Sequence, residues 1–301
     1  MTDYTDGTGG AERDATSAPV PAIASIGVLG AGVIGSSVAH AALSAGLDVT
    51  LVDSDPGALE TARASIRRHT RMARLSGSPE AAATGKLSLE EDLRALADTD
   101  LVVENTTESE DAKRALYPEL DRALRPGTVI AANTSAVPIA RLAEQLQDPG
   151  RVVGVHFMNP VARIDTVEVI RAAASSEAAM EGVGRLLERM GKTAVVVNDA
   201  PGFVINRVLM VVVNLAAAVV ADQVATPAQV DTLFKGCLGH STGPLRTADL
   251  IGLDTVVRTL EVLHDHYGSD EFVTHPHLRH LVGQGRLGVK SGRGFFSYDG
   301  S

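Results

Sequence analysis

The chain has 301 residues, 45% of them hydrophobic and 21% charged, which is enough for two domains with separate cores and excludes a disordered or fibrous protein. A formal charge of -10 excludes a protein that spreads over nucleic acid or an anionic membrane, because both reward net positive charge. The single cysteine, Cys237, excludes an internal disulfide and points to a cytoplasmic chain; in its Lys-Gly-Cys-Leu-Gly context it reads as a packing residue.

Residues 1–22 are rich in Thr, Gly, Asp, Ala and Pro without apolar periodicity and read as a disordered tail, lacking the basic start and apolar run of a secretory signal. From Ile23 onward, short β-branched runs alternate with amphipathic stretches, the pattern of βαβ units around a mainly parallel sheet. Strands are predicted at 25–29, 48–52, 100–104, 128–132, 152–156, 166–170 and 193–197. Helices lie between them, one over 36–45, and two end at Gly46 and Gly191, the residue type that tolerates a left-handed turn. Pro138 fits the first position of another helix, and Pro118 predicts a kink or restart within 111–124. After Asp199 the strand patterns stop. Residues from Pro201 to about 285 read as helices, with Thr226-Pro227 as the N-cap and first position of one. The apolar run 208–220 is broken by Asn214 and falls short of the about 20 residues that span a bilayer, so it reads as a buried helix.

Gly30-Ala-Gly32-Val33-Ile34-Gly35 follows a predicted strand and opens a helix. In that setting the glycines serve a tight turn, close approach of backbone to a pyrophosphate, and close helix–strand packing, while the helix N-terminus offers free amides. Asp53 closes the second strand 18 residues after Gly35, where a carboxylate hydrogen-bonds a ribose and repels a 2′-phosphate. The other reading of Asp53 is a helix cap before Pro56. Together these features predict NAD as cofactor. The fold class is α/β: a Rossmann-type, mainly parallel sheet domain over 23–199, followed by an all-helical C-terminal domain over 200–301.

His156 ends a predicted strand, on the edge of an open α/β sheet where ligands collect. Glu168 follows 12 residues later within Thr-Val-Glu-Val-Ile, a strand position at which an unpaired carboxylate is costly. Paired with His156 it would orient the ring and strengthen its hold on a proton; spacing alone favours a satisfied core histidine.

From Ile26 to Tyr298 the sequence resembles the 3-hydroxyacyl-CoA dehydrogenase family. The resemblance rests on the glycine motif, Asp-Leu-Val-Val-Glu104, Asn133-Thr134-Ser135, His156-Phe-Met-Asn159-Pro160, Val-Glu168-Val-Ile, Asp199 to Arg207, Gly243 to Asp254, and Gly288 to Tyr298, in the family's order. It implies an oxidoreductase interconverting a 3-hydroxyacyl thioester and its 3-oxo form, with NAD as the hydride partner. It implies His156 as the general base and acid, Glu168 as its partner, and Ser135 and Asn206 as groups holding the substrate oxygen. It further implies Glu108, Lys113 and Asn133 on the nicotinamide side of the cofactor pocket, with Ser65, Arg71 and Asn159 among the substrate contacts. No metal is implied. His264, His266, His275, His277 and His280 lack the cysteines or carboxylates that would complete a closed metal site and read as surface or packing residues.

The chain departs from the family at Met158, where a second aromatic is usual, at Ile164-Asp165-Thr166, and at Ser241-Thr242 before Gly243-Pro244. These changes predict a short or polar acyl group. Arg63, Arg67, Arg71 and Arg74 share one face of a helix over 61–75. In the family a basic helix here handles CoA phosphates, although its lysine position falls on Met72; the same face suits the acidic surface of an acyl carrier protein. The partners expected are therefore an acyl-CoA or an acyl carrier protein, with neither nucleic acid nor membrane, and the resemblance implies a homodimer. Variants of the reading are oxidation of a carrier-bound glyceryl group for polyketide extender units, oxidation of a free sugar acid such as gulonate, and a non-catalytic NAD-binding protein.

Overall fold

A computed structural model describes residues 23–75 and 85–298, so the predicted tail over 1–22 lies outside the described residues. The alternating pattern becomes β1 (Ser25–Leu29), α1 (Val33–Ser44), β2 (Asp48–Val52), α2 (Pro56–Leu75), β3 (Leu87–Glu90), β4 (Leu101–Glu104), α3 (Glu110–Ala123), β5 (Val129–Asn133), α4 (Ile139–Ala143), β6 (Val152–His156), β7 (Thr166–Arg171), α5 (Glu177–Arg189) and β8 (Thr193–Asn198). The sheet order is β3-β2-β1-β4-β5-β6-β7-β8, parallel except for the β6–β7 pair. Chain order reverses between β2-β1 and β4-β5, so a crevice opens there outside the carboxyl ends of the strands, where such sheets bind ligands. Side chains such as Ile26, Val28, Leu51, Val103 and Val153 pack the sheet on one face, and Val102, Tyr117, Leu120, Ile130 and Ile170 on the other. The fold is the expected Rossmann-type sheet domain followed by helices.

Four details differ from the expectations. Strand β3 is an additional edge strand, missed because its Leu-Ser-Leu-Glu alternation spans only four residues. Helix α3 runs through Pro118 without a break, because Tyr117 and Leu120 on either side of it are fully buried and hold both halves in one line. Pro138 is the N-cap of α4 rather than its first residue. Helix α1 starts at Val33, earlier than the pattern implied, since its first turn is the glycine motif itself.

The second region comprises α6 (Ile205–Ala221), α7 (Pro227–Leu238), α8 (Pro244–Ile251), α9 (Leu253–Tyr267) and α10 (Pro276–Gly283). Thr226 opens α7 with a full capping box against Gln229. Met210, Val213, Leu245, Val256, Leu260 and Phe272 build a separate core. Helix α6 is not the buried helix expected: one face is inside, but Val208 (58%) and Leu215 (63%) are exposed. Cys237 is also exposed, on the outer side of α7, and does not serve as a packing residue. Among the described residues no helix is long and apolar enough to cross a membrane.

Candidate active site

The turn after β1 is shaped by three glycines with separate physical duties. Gly30 has φ +99°, and a Cβ there would lie 2.6 Å from the Asn105 carbonyl oxygen. A Cβ on Gly35 would sit 1.9 Å from the Gly30 carbonyl, so the helix packs too closely on the turn for any side chain. Gly32 is the reverse case, since nothing lies within 4 Å of its Cβ position. It lines a cleft of about 700 Å³ together with Asp53, Asn105 and Thr106. Gly32 is also the N-cap of α1 and makes no side-chain cap, which leaves the first-turn amides of Val33, Ile34 and Gly35 without intrahelical acceptors. An open cradle backed by free amides and the positive end of a helix fits a pyrophosphate.

Asp53 accepts a hydrogen bond from the Ala31 amide at 2.7 Å and from the Asp55 amide at 3.0 Å. The helix-cap reading belongs instead to Asp55, whose carboxylate accepts from the Gly57 amide in the first turn of α2. Asp53 thus closes the cleft beside the glycine turn, where a ribose would meet it.

The antiparallel register of β6 and β7 sets His156 directly opposite Glu168, so the two side chains leave the sheet on the same face. His156 Nδ1 and Glu168 Oε2 are 2.7 Å apart, and both residues are buried. The carboxylate's other oxygen accepts from the Val204 and Ile205 amides at 3.0 and 3.1 Å. Burial pushes the Glu168 carboxyl up, but the hydrogen bonds from His156 and from these amides outweigh it and hold the group below its ordinary value. With Glu168 ionised, Nδ1 carries the ring proton. Nε2, which has no hydrogen-bond partner among the described residues, keeps a free lone pair.

A second set of side chains joins this pair to the cleft. The Asn133 carboxamide accepts from the Phe157 amide, next to His156, and donates to Asn105 Oδ1 in the cleft wall. Behind them Glu104 and Lys113, both without exposed side-chain surface, form an ion pair at 2.7 Å. Tyr117 OH donates to Glu104 at 3.1 Å, the Thr106 amide donates to it at 2.7 Å, and Lys113 reaches the Asn133 carbonyl at 3.3 Å. Burial and the Glu104 charge raise the Tyr117 phenol well above its usual range, so it remains a donor. Lys113 was expected to line the nicotinamide side of the pocket. It stands behind the wall instead, because an ammonium enclosed by Glu104 is satisfied without reaching the cleft.

Glu108 accepts from the Ser135 and Ala136 amides at 2.9 and 3.1 Å and from the Thr134 hydroxyl, so it fixes the Asn133-Thr134-Ser135 turn. Asn206, in the first turn of α6, donates to the Ser135 carbonyl at 2.9 Å. Ser135 is therefore clamped from both domains through its backbone. Asn159 is exposed in the loop after β6. Ser65 and Arg71 stand on α2, away from the His156–Glu168 pair in sequence, with Ser65 half-buried and Arg71 exposed. Glu104, Tyr117 and Asn105 had no assigned role in the sequence. A carboxylate ending the apolar run Leu-Val-Val-Glu, with Lys113 and Tyr117 one helical turn apart behind it, was the signal that such a cluster leaves.

Three of the unusual residues line cavities of their own. Asp165 pairs with Lys192 at 3.4 Å and lines a shallow cavity against Ala41 and Ser44 of α1, which His156 does not line. Ser241 and Thr242 line another cavity, with Lys235, Arg246 and Phe296 in the helical region. Of the other departures, Met158 lies two residues after His156, and Thr166 two residues before Glu168 on β7. The helical-region histidines have local partners, as with His264 Nδ1 at 3.1 Å from the Ser269 carbonyl. Among the described residues no three metal-ligating side chains converge.

The model of the 3-hydroxyacyl-CoA dehydrogenase NAD-binding domain matches residues 25–200, and that of the C-terminal domain of the same enzymes matches residues 202–298. A Bacillus subtilis protein named "Probable 3-hydroxybutyryl-CoA dehydrogenase" is 41% identical over 92% of this chain and 98% of its own. The 3-hydroxybutyryl-CoA dehydrogenase of Bradyrhizobium diazoefficiens is 36% identical over 93% of this chain and 97% of its own. The crystal structure of (S)-3-hydroxybutyryl-CoA dehydrogenase from Ralstonia eutropha superposes with a TM-score of 0.87 at 32% identity, covering 93% of this chain and all of that one.

Proposed function

The chain belongs to the 3-hydroxyacyl-CoA dehydrogenase family, an NAD-using oxidoreductase family, and we propose that it interconverts a short 3-hydroxyacyl thioester and its 3-oxo form with His156 moving the hydroxyl proton. The observation that carries this reading is the His156–Glu168 pair, with one imidazole nitrogen committed and the other free, on the same sheet edge as the glycine cradle. Gly30–Gly35 and Asp53 would hold NAD, which when bound would accept the hydride leaving C3 of the substrate. His156 Nε2 takes the proton of the C3 hydroxyl in oxidation and returns it in reduction, and Glu168 keeps the proton on Nδ1 and stabilises the imidazolium. The Ser135 hydroxyl and the Asn206 side chain position the substrate oxygen, with Glu108 fixing the turn that carries Ser135 and Asn206 bonded to the Ser135 carbonyl from α6.

The relatives' names support 3-hydroxybutyryl-CoA as the first substrate to offer. The thioester's carrier is read from α2, where Arg67, Arg71 and Arg74 are exposed and make no ion pair among the described residues, whereas Arg63 is paired with Glu60. Such a face receives the phosphates of CoA or the acidic surface and phosphopantetheine of a carrier protein. The exposed apolar side chains of α6 and α7, among them Val208, Leu215, Leu233 and Leu238, support a homodimer through the helical region.

The test is NADH formation with 3-hydroxybutyryl-CoA, a glyceryl carrier protein and free gulonate in parallel. Turnover of 3-hydroxybutyryl-CoA, lowered by removing the three α2 arginines, supports the reading and CoA as carrier. Turnover of the glyceryl carrier protein alone keeps the thioester chemistry and moves the carrier. Turnover of gulonate alone contradicts the thioester reading.

A further inference from the structure

The segment that joins the two regions holds the His156–Glu168 pair from the helical side. Gly202 and Phe203 have φ +75° and +48°, two successive left-handed residues, and the second is an aromatic that rarely adopts this conformation. The strain is held in place by packing: Phe203 is 3% exposed and sits in the sheet domain's core beside Val137, Ile139 and Ile170, although its neighbours in sequence open the helical region. Its ring stands edge-on to the His156 ring, with centroids 5.9 Å apart and planes at 62°. The turn then directs the next two amides, Val204 and Ile205, at the same Glu168 oxygen. The side chains of Val204 and Ile205 are about half exposed, so core packing does not account for their placement.

We infer that the Gly202–Phe203 turn is a positioning element of the His156–Glu168 pair, delivering two amides to the carboxylate and an aromatic edge to the imidazole, so that the first turn of the helical region sets the basicity of His156. This inference rests on the proposed role of His156 as the base. Each amide draws negative charge from Glu168 and weakens the carboxylate's hold on an imidazolium proton; losing them strengthens that hold. Among the described residues no other charged side chain hydrogen-bonds to either member of the pair. Glu108 is committed to the Ser135 turn, Asp199 to the Ile139 and Ala140 amides, and Arg207 to the face of Tyr267 at 4.1 Å.

Three variants separate the amides from the ring. Phe203→Val disfavours the left-handed backbone, Gly202→Ala strains the same turn while keeping the ring, and Phe203→Gly removes the ring while leaving the backbone free to stay left-handed. The readouts are the imidazole titration of His156 by NMR in the free protein and the acid limb of the kcat/KM profile. Phe203→Val and Gly202→Ala should both move the titration upward by about half a pH unit or more, and Phe203→Gly should leave it near the wild-type value while lowering kcat. Because the NMR titration needs no turnover, an inactive wild type would contradict the proposed reaction without touching this result. Wild-type titration in both backbone variants, or a shift in Phe203→Gly as large as theirs, would overturn the inference. Gly202→Ala keeps the test decisive if Phe203→Val does not fold, because it removes no buried volume and its methyl comes closer than 3 Å only to the end of the Leu263 side chain.

Discussion

Two buried ionisable pairs stand at the carboxyl edge of one sheet, and they differ in what they leave unused. Glu104 and Lys113, at the end of β4 and inside α3, have no exposed side-chain surface, and Tyr117, Thr106 and the Asn133 carbonyl occupy their remaining sites. His156 and Glu168, at the end of β6 and inside β7, are also buried, but His156 Nε2 has no partner among the described residues. A closed pair contributes shape, because its polar sites already have partners inside the fold. An open pair contributes chemistry, since one site is held ready for a proton while the rest of the pair is fixed.

The largest effect separating the two should come from Lys113→Met. It leaves Glu104 buried without its counter-charge and should lower the unfolding free energy by about 3–5 kcal/mol in urea titration. A loss below about 1 kcal/mol would mean the pair is open to water and the contrast false. Glu168→Gln acts on the open pair and should lower kcat by about ten- to a hundredfold, the worth of a hydrogen bond to a charged group of about 1.5–3 kcal/mol. The same residue links stability to pH. Its carboxyl is depressed in the folded state, so its stabilisation is present above its ordinary value of 4.5 and is lost as pH falls through the lowered value. Glu168→Gln should therefore flatten the acid side of a Tm-against-pH curve, and an unchanged curve would remove Glu168 from that linkage. The smallest effect is expected of Tyr117→Phe, which gives up one donor to Glu104 and should cost about 1–2 kcal/mol with kcat and KM for NAD unchanged.

Much of the open pair was legible before the fold was known, and little of the closed one. A glycine run after a strand, an acid at the end of the next strand, and a histidine and glutamate on neighbouring strands are local patterns tied to backbone geometry. The register that sets His156 opposite Glu168 is seen only in the fold, because residues 157–165 separate β6 from β7 and a connection of that length does not fix the pairing. The burial of Lys113 depends on how α3 closes on β4, and a lysine near a helix start normally faces solvent. Pro118 misled for a related reason, since helix propensity is a local preference and the buried Tyr117 and Leu120 override it. The left-handed Phe203 has no local signature at all, because only the surrounding packing stabilises it. Asp165 and Thr242, departures from the family pattern that were read as pocket residues, line cavities beside Lys192 and beside Arg246.

The most direct test of the open pair is His156→Ala, followed with 3-hydroxybutyryl-CoA by NADH formation and, separately, by titration with NAD. The account predicts a kcat lower by about 10²- to 10⁴-fold, the usual worth of a positioned acid–base group, with NAD affinity unchanged because Gly32 and Asp53 are untouched. Turnover equal to that of the wild type would contradict it.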